Sequence, residues 1–276
     1  MRIQRTGLGM VLIIASILCT VATGQTSKAP ADAANDTSRK VIQRGHESYY
    51  RLRMLGLDEF QSTVQPNWED VLKNQGVTDA QQTAAALNLL NGLHFSMLLD
   101  QKGKVTVKHR TDNEPRNEQV RKGFEDIYSG INQATSGFFA TWSLFMLDSP
   151  FPAVESNYNL EDLGNRYRLS YKEGSSDVVT MMGKDLEIRE ITVDSPEFTS
   201  IVRPQLSKTA NGFMLNGYTA EYTPKASKGV VHLEVKINYA PADGMQLPAS
   251  LIADGTLDGA PTHMELAFSE YQVKKH

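Results

Sequence analysis

The chain has 276 residues, 28 of them basic and 32 acidic, for a formal net charge of −4, and no run of Lys or Arg is concentrated in one place. That balance excludes nucleic acid and anionic lipid surfaces as partners, because both require clustered positive charge. The length allows one large domain or two small ones, and a single cysteine, Cys19, cannot build a disulfide framework.

The first five residues carry Arg2 and Arg5, an apolar run follows from Leu8 to Val21, and Ala22-Thr23-Gly24 places small side chains before Gln25. This three-part pattern predicts a signal peptide over residues 1–24, cut after Gly24. At roughly 18 residues the uncharged stretch is also long enough for a membrane anchor, but the small-residue exit and the polar segment after it favour cleavage. Cys19 follows Leu18 and not a small residue, which argues against lipid attachment there. Without Arg2 and Arg5 the 28 basic residues lose two against 32 acidic ones, and the net charge falls from −4 to about −6. The mature chain then has no cysteine and must be held by core burial alone. A periplasmic or secreted protein is expected.

Residues 25–37 are small and polar and read as a flexible tether. Asp36 or Ser38 can cap a helix over 38–56, where Val41, Gly45, Tyr49 and Leu52 recur at helical spacing. Phe60, Ser62 and Val64 alternate as a short strand before Pro66, and residues 67–73 form a short helix. Thr78 or Asp79 caps another helix over 79–91. Strands 94–99 and 104–110 flank the turn Asp100–Gly103 as a hairpin. The longest helical pattern covers 117–147, with Val120, Phe124, Ile127, Ile131, Ala134, Phe138, Trp142 and Phe145 at steps of four and three. A break is expected near Gly137, beyond which the segment is apolar nearly all round. Gly123, Gly130 and Gly137 recur every seven residues, and close approach of the helix to a sheet would explain them.

From Tyr158 onward the pattern is strands and turns. Tyr167, Leu169 and Tyr171 alternate with polar residues, Glu173–Ser176 turns into Val178–Met182, and parity slips between Ile188 and Ile191 and again between Phe268 and Tyr271 suggest bulges. Strict alternation means strands buried on one face and wet on the other, and consecutive strands with short turns make a meander. The predicted class is α+β, a large curved antiparallel sheet (an incomplete β-barrel) with helices packed on its concave face, in a single domain over 38–276.

Catalytic chemistry is hard to place. The six histidines, His46, His94, His109, His232, His263 and His276, include no pair at metal-binding helical spacing. There is no GxSxG nucleophile elbow, no glycine-rich phosphate loop and no mature thiol. Neither an enzyme, a metal site nor a cofactor is expected, and a hydrolase would have to assemble its residues from distant strands. The candidate ligand-binding residues are the large soft side chains Phe138, Phe139, Trp142, Phe145 and Met146, facing Tyr167, Leu169, Tyr171 and Met181. Ordinary core packing accounts for the same pattern.

Several stretches resemble the LolA/LolB-like class of periplasmic lipoprotein and lipid carriers. They are Arg166–Lys172 (RYRLSYK), Leu186–Val193 followed by Ser207–Phe213, Asn238-Tyr239 followed by Gly244–Ala249 with its Leu247-Pro248 step, and Ala267–Val273. The resemblance covers about half the chain. It implies an incomplete barrel whose hollow, capped by helices, accepts acyl chains without catalysis. The expected function is therefore an exported, monomeric carrier of a lipid or lipoprotein acyl chain. The alternative is an envelope protein-interaction or sensory module of the same architecture with a filled core.

Overall fold

The computed structural model describes residues 36–115, 117–226, 229–257 and 260–276; the expected signal peptide and residues 25–35 of the tether lie outside these. Among the described residues there are four α-helices and twelve strands. The helices are α1 (Asp36–Glu47), α2 (Trp68–Asn74), α3 (Ala80–Leu90) and α4 (Glu118–Met146). The strands are β1 (Leu57–Pro66), β2 (Leu93–Leu99), β3 (Val105–Thr111), β4 (Tyr158–Asp162), β5 (Arg166–Glu173), β6 (Ser176–Gly183), β7 (Ile188–Asp194), β8 (Phe198–Thr209), β9 (Gly212–Pro224), β10 (Val231–Ala242), β11 (Met245–Leu257) and β12 (Ala260–Lys275). Strand order is β3-β2-β1-β12-β11-β10-β9-β8-β7-β6-β5-β4, antiparallel and not closed. The α+β class with a large antiparallel sheet is the class the sequence predicts. The described chain gathers into two compact units, one of residues 55–141 and 235–276, the other of 36–54 and 142–234.

In the first unit Phe60 and Val64 of β1 and Met97 and Leu99 of β2 are buried, as their alternation requires. Asn67 caps α2, its side chain accepting from the Asp70 N–H, and Asp79 caps α3 in the same way through the Gln82 N–H. Asn117 does so for α4, accepting from Gln119 and Val120. The helix α4 passes Gly137 without a break, because a buried apolar face on both sides of the glycine outweighs its local helix penalty. Gly123 has open space where a Cβ would stand, so close packing does not explain it. The parity slip near the C-terminus is a bulge, with Glu270 at φ +55° and a register shift opposite Gln61 and Thr63.

In the second unit α1 stops at Glu47, short of the predicted 56. The backbone after it is taken by β9: Tyr50 N–H donates to Phe213 O at 2.9 Å and Phe213 N–H to Ser48 O at 2.7 Å. Leu52 and Arg53 N–H groups then donate to Met146 O and Leu147 O, satisfying carbonyls at the end of α4. Tyr49 and Leu52 are buried as predicted, at 2% and 0% exposure, but outside the helix, Tyr49 in a β-bridge to Phe213 and Leu52 in a turn. Gly212 makes this close approach possible. It sits at φ +108°, and an added Cβ would lie 2.6 Å from Ser48 O. The slip predicted between 188 and 191 is a register shift of β7 against Met181 and Met182.

Candidate functional site

In the second unit the strand registers align one face of the sheet in rows. Leu160, Leu169, Thr180, Ile191, Val202 and Ala220 pair in succession across β4 to β9. Next to them runs Tyr158, Tyr171, Val178, Val193, Ser200 and Tyr222. From Leu169 to Ala220 the first row is buried. The second is buried only at Val178 and Ser200: Tyr158, Tyr171, Val193 and Tyr222 keep accessible surface, as does Phe198, whose ring centroid lies 5.0 Å from that of Tyr222. Burial nonetheless raises the phenol pKa of Tyr158, Tyr171 and Tyr222, most strongly for Tyr171. These rings are thus partly buried and partly accessible, beside the buried row of the same face. Glu173 ends the Tyr167–Leu169–Tyr171 series on the same face, half-buried, and burial raises its carboxyl above the ordinary 4.5.

The other end of this face is sealed. Tyr49 Oη donates to Leu186 O at 3.2 Å and accepts from Ile188 N–H at 2.9 Å. Its ring meets Phe151 and Phe213 at 5.7 and 5.5 Å, and Met182 and Ile188 are buried. Lys184 lies 3.8 Å over the half-buried Tyr167 ring and pairs with Asp162.

The opposite face is charged. Glu161, Arg168, Met181 and Glu190 are register partners there, with Arg168 on Glu161 at 3.3 Å and Arg203 bridging Glu190 at 2.9 Å and Glu221 at 2.7 Å. Met181 therefore does not join Tyr167, Leu169 and Tyr171. Its neighbour Met182, register partner of Tyr167, takes that place. The hairpin after Glu173 has a two-residue loop, so odd positions of β5 share a face with even positions of β6.

The other predicted lining residues are core. In the first unit Phe138 packs at 6.0 Å on Phe268, and Phe139 lies 5.4 Å from Phe268 and 5.8 Å from Phe60. In the second, Trp142, Phe145 and Met146 are all 0% exposed, and Met146 Sδ receives the Leu215 N–H at 3.4 Å. Of the nine candidates, Tyr167 and Tyr171 share a face and keep accessible surface, and the buried Leu169 lies between them. Sequence reasoning missed Tyr158, Glu173, Phe198 and Tyr222. Glu173 was legible, two positions beyond Tyr171 on the same parity.

The first unit has a separate half-open cleft of about 600 Å³ between the end of β3 and the first turns of α4. His109 stacks on Tyr128 at 3.7 Å over the buried Phe124, and Arg110, Glu114, Arg121 and Glu125 stand around it. Its mixed charge suits a polar ligand. Among the described residues, no group of three or more His, Cys, Asp or Glu is placed to hold a metal ion, and no helix is long and apolar enough to cross a membrane. Comparison of the chain with family models, with curated proteins and with solved structures gives no match.

Proposed function

We propose that this is an exported protein that holds a lipid acyl chain, without covalent chemistry, on the half-open end of the apolar face in its second unit. The observation that carries the reading is that Tyr158, Tyr171, Val193 and Tyr222 keep accessible surface on this face, although Val178 and Ser200 between them are buried, while the adjacent row is buried from Leu169 to Ala220. Covering apolar surface gains roughly 25 cal/mol per Å² before ordering costs, and several partly accessible rings on one face suit a chain better than a compact polar ligand. The N-terminal pattern of residues 1–24 supports export to a periplasm, and the resemblance of Arg166–Lys172 and the later strands to LolA/LolB-like carriers supports an acyl ligand.

The test is to purify the mature protein from native membranes, analyse co-purified lipid by mass spectrometry, and titrate the delipidated protein with an uncharged fluorescent acyl-chain probe. Bound lipid and saturable binding are expected. A lipid-free preparation that also fails to bind the probe ends the reading.

The complete burial of Phe138, Phe139, Trp142, Phe145 and Met146 favours a second reading, an envelope protein-interaction module with a filled core. Crosslinking from Tyr222 in intact cells distinguishes the two, since a module yields a defined protein adduct and a carrier does not.

A further inference from the structure

Carboxylates of the second unit mostly have cations. Glu161 pairs with Arg168, Asp177 with Lys172 at 2.9 Å, Glu190 and Glu221 with Arg203, and Asp194 with Lys225 at 2.7 Å. Glu173 has none: among the described residues it makes no ion pair and no hydrogen bond, and burial is what raises its carboxyl. Its place is unusual too. The strand register puts it on the apolar face, next to Tyr171 on β5, while Tyr171 pairs with Tyr158 of β4. Arg39, in the first turn of α1, lies near enough to the Tyr158 phenol to act on it and makes no ion pair with Glu173. A half-buried carboxylate on an apolar surface is costly until a cation reaches it, and flanking phenol rings add attraction for a cation over their faces.

We infer that the bound amphiphile carries an ammonium head, received by the Glu173 carboxylate beside Tyr171 and Tyr158 while its chain lies along Val193, Phe198 and Tyr222. This rests on the acyl-chain reading above and names the substrate class of that site: an amine-headed lipid or detergent, not a fatty acid. The mature chain is acidic overall, so anionic heads gain no general attraction to offset the local carboxylate.

The experiment titrates the delipidated protein at pH 7.5 with dodecyltrimethylammonium, a neutral dodecyl glycoside and dodecanoate, each below its micellar concentration, and with tetramethylammonium alone. The ammonium amphiphile is expected to bind at least about ten-fold more tightly than the neutral one, with dodecanoate weakest. In Glu173→Gln its affinity falls to that of the neutral probe, and in Glu173→Lys the order of the two charged probes reverses. Equal binding of the ammonium and neutral probes overturns the inference and leaves the acyl-chain reading standing. Preference that survives both substitutions overturns the role of Glu173. Tetramethylammonium binding as tightly as the amphiphile overturns an amphiphilic ligand, and failure of every chain-bearing probe ends both proposals.

Discussion

The two ends of the apolar face in the second unit are built from the same residue types and come to opposite fates. At the sealed end Tyr49 is covered by Phe151 and Phe213, and its hydroxyl is satisfied by the β6–β7 turn and the start of β7 through Leu186 O and Ile188 N–H. At the open end Tyr158, Tyr171 and Tyr222 keep accessible surface, and Glu173, a carboxylate with no ion pair among the described residues, stands beside Tyr171. A tyrosine is structural when another segment brings both an apolar lid for its ring and polar partners for its oxygen. Without that segment the same residue offers a ligand surface.

The largest effect expected is at the sealed end. Gly212→Ala puts a side chain at φ +108°, with its Cβ 2.6 Å from Ser48 O, a backbone atom with no easy escape. A loss of about 3 kcal/mol is expected, combining left-handed strain with displacement of the Ser48–Tyr50 segment. Urea unfolding measures it. A loss under about 1 kcal/mol would mean that the segment is held only loosely and that the two ends differ less than described.

Tyr49→Phe is next. It leaves the ring in place but removes the acceptor of the Ile188 N–H, and about 1–3 kcal/mol should go. It also tests a pH dependence. Burial raises the Tyr49 phenol above its ordinary 10.0, so the native state keeps a proton that the unfolded chain gives up. That contribution is complete below about pH 10 and is lost as the pH rises further. Wild-type protein should therefore lose stability between pH 9 and 11 more steeply than Tyr49→Phe, as followed by chemical denaturation.

At the open end the balance of effects inverts. Tyr171→Ala and Tyr222→Ala should each lower stability by only about 1 kcal/mol but weaken acyl-probe affinity about ten-fold. Equal affinity in wild type and both variants, measured by fluorescence titration, would remove the open end as the binding surface.

How much of this contrast can be read from the sequence depends on how local its cause is. Alternation along β5 and β10 and the parity slips near Arg189 and Glu270 are local, and they locate strands and bulges. The face of Met182 follows from the two-residue loop after Glu173, yet two adjacent methionines hide it from periodicity alone. The fate of Tyr49 is not local. Its helical spacing with Val41 and Gly45 is real, but Phe213, far along the chain, captures the backbone and ends α1 at Glu47. The rings of Gly137–Leu147 show the same limit. Their distribution on all sides of a helix says that they are buried, and only the partners Phe60, Phe268 and Leu215 determine that they are core.

Glu173→Gln bears on the open end through stability alone. Because burial raises the Glu173 carboxyl above 4.5, the native state binds its proton more tightly than the unfolded chain does. Its contribution is then most favourable below about pH 4.5 and declines as the pH rises through the native value. In ligand-free protein at pH 7, where the wild type holds a half-buried charge with no ion pair among the described residues, the glutamine variant should melt slightly higher, and the gap should close at pH 4. A variant that melts lower at pH 7 would show that Glu173 has a counter-ion within the protein.

The smallest effect marks the boundary between the two ends. Thr180 sits in the buried row between Leu169 and Ile191, 0% exposed, and its hydroxyl has no hydrogen-bond partner among the described residues. Thr180→Val keeps the shape and removes a buried polar group, so stability should be unchanged or rise by up to about 1 kcal/mol. A loss greater than about 1 kcal/mol would mean that the hydroxyl is solvated from the open end. The accessible surface would then reach one row deeper than Tyr171 and Tyr222, and the chain-binding surface would include Leu169, which the sequence analysis names as a candidate.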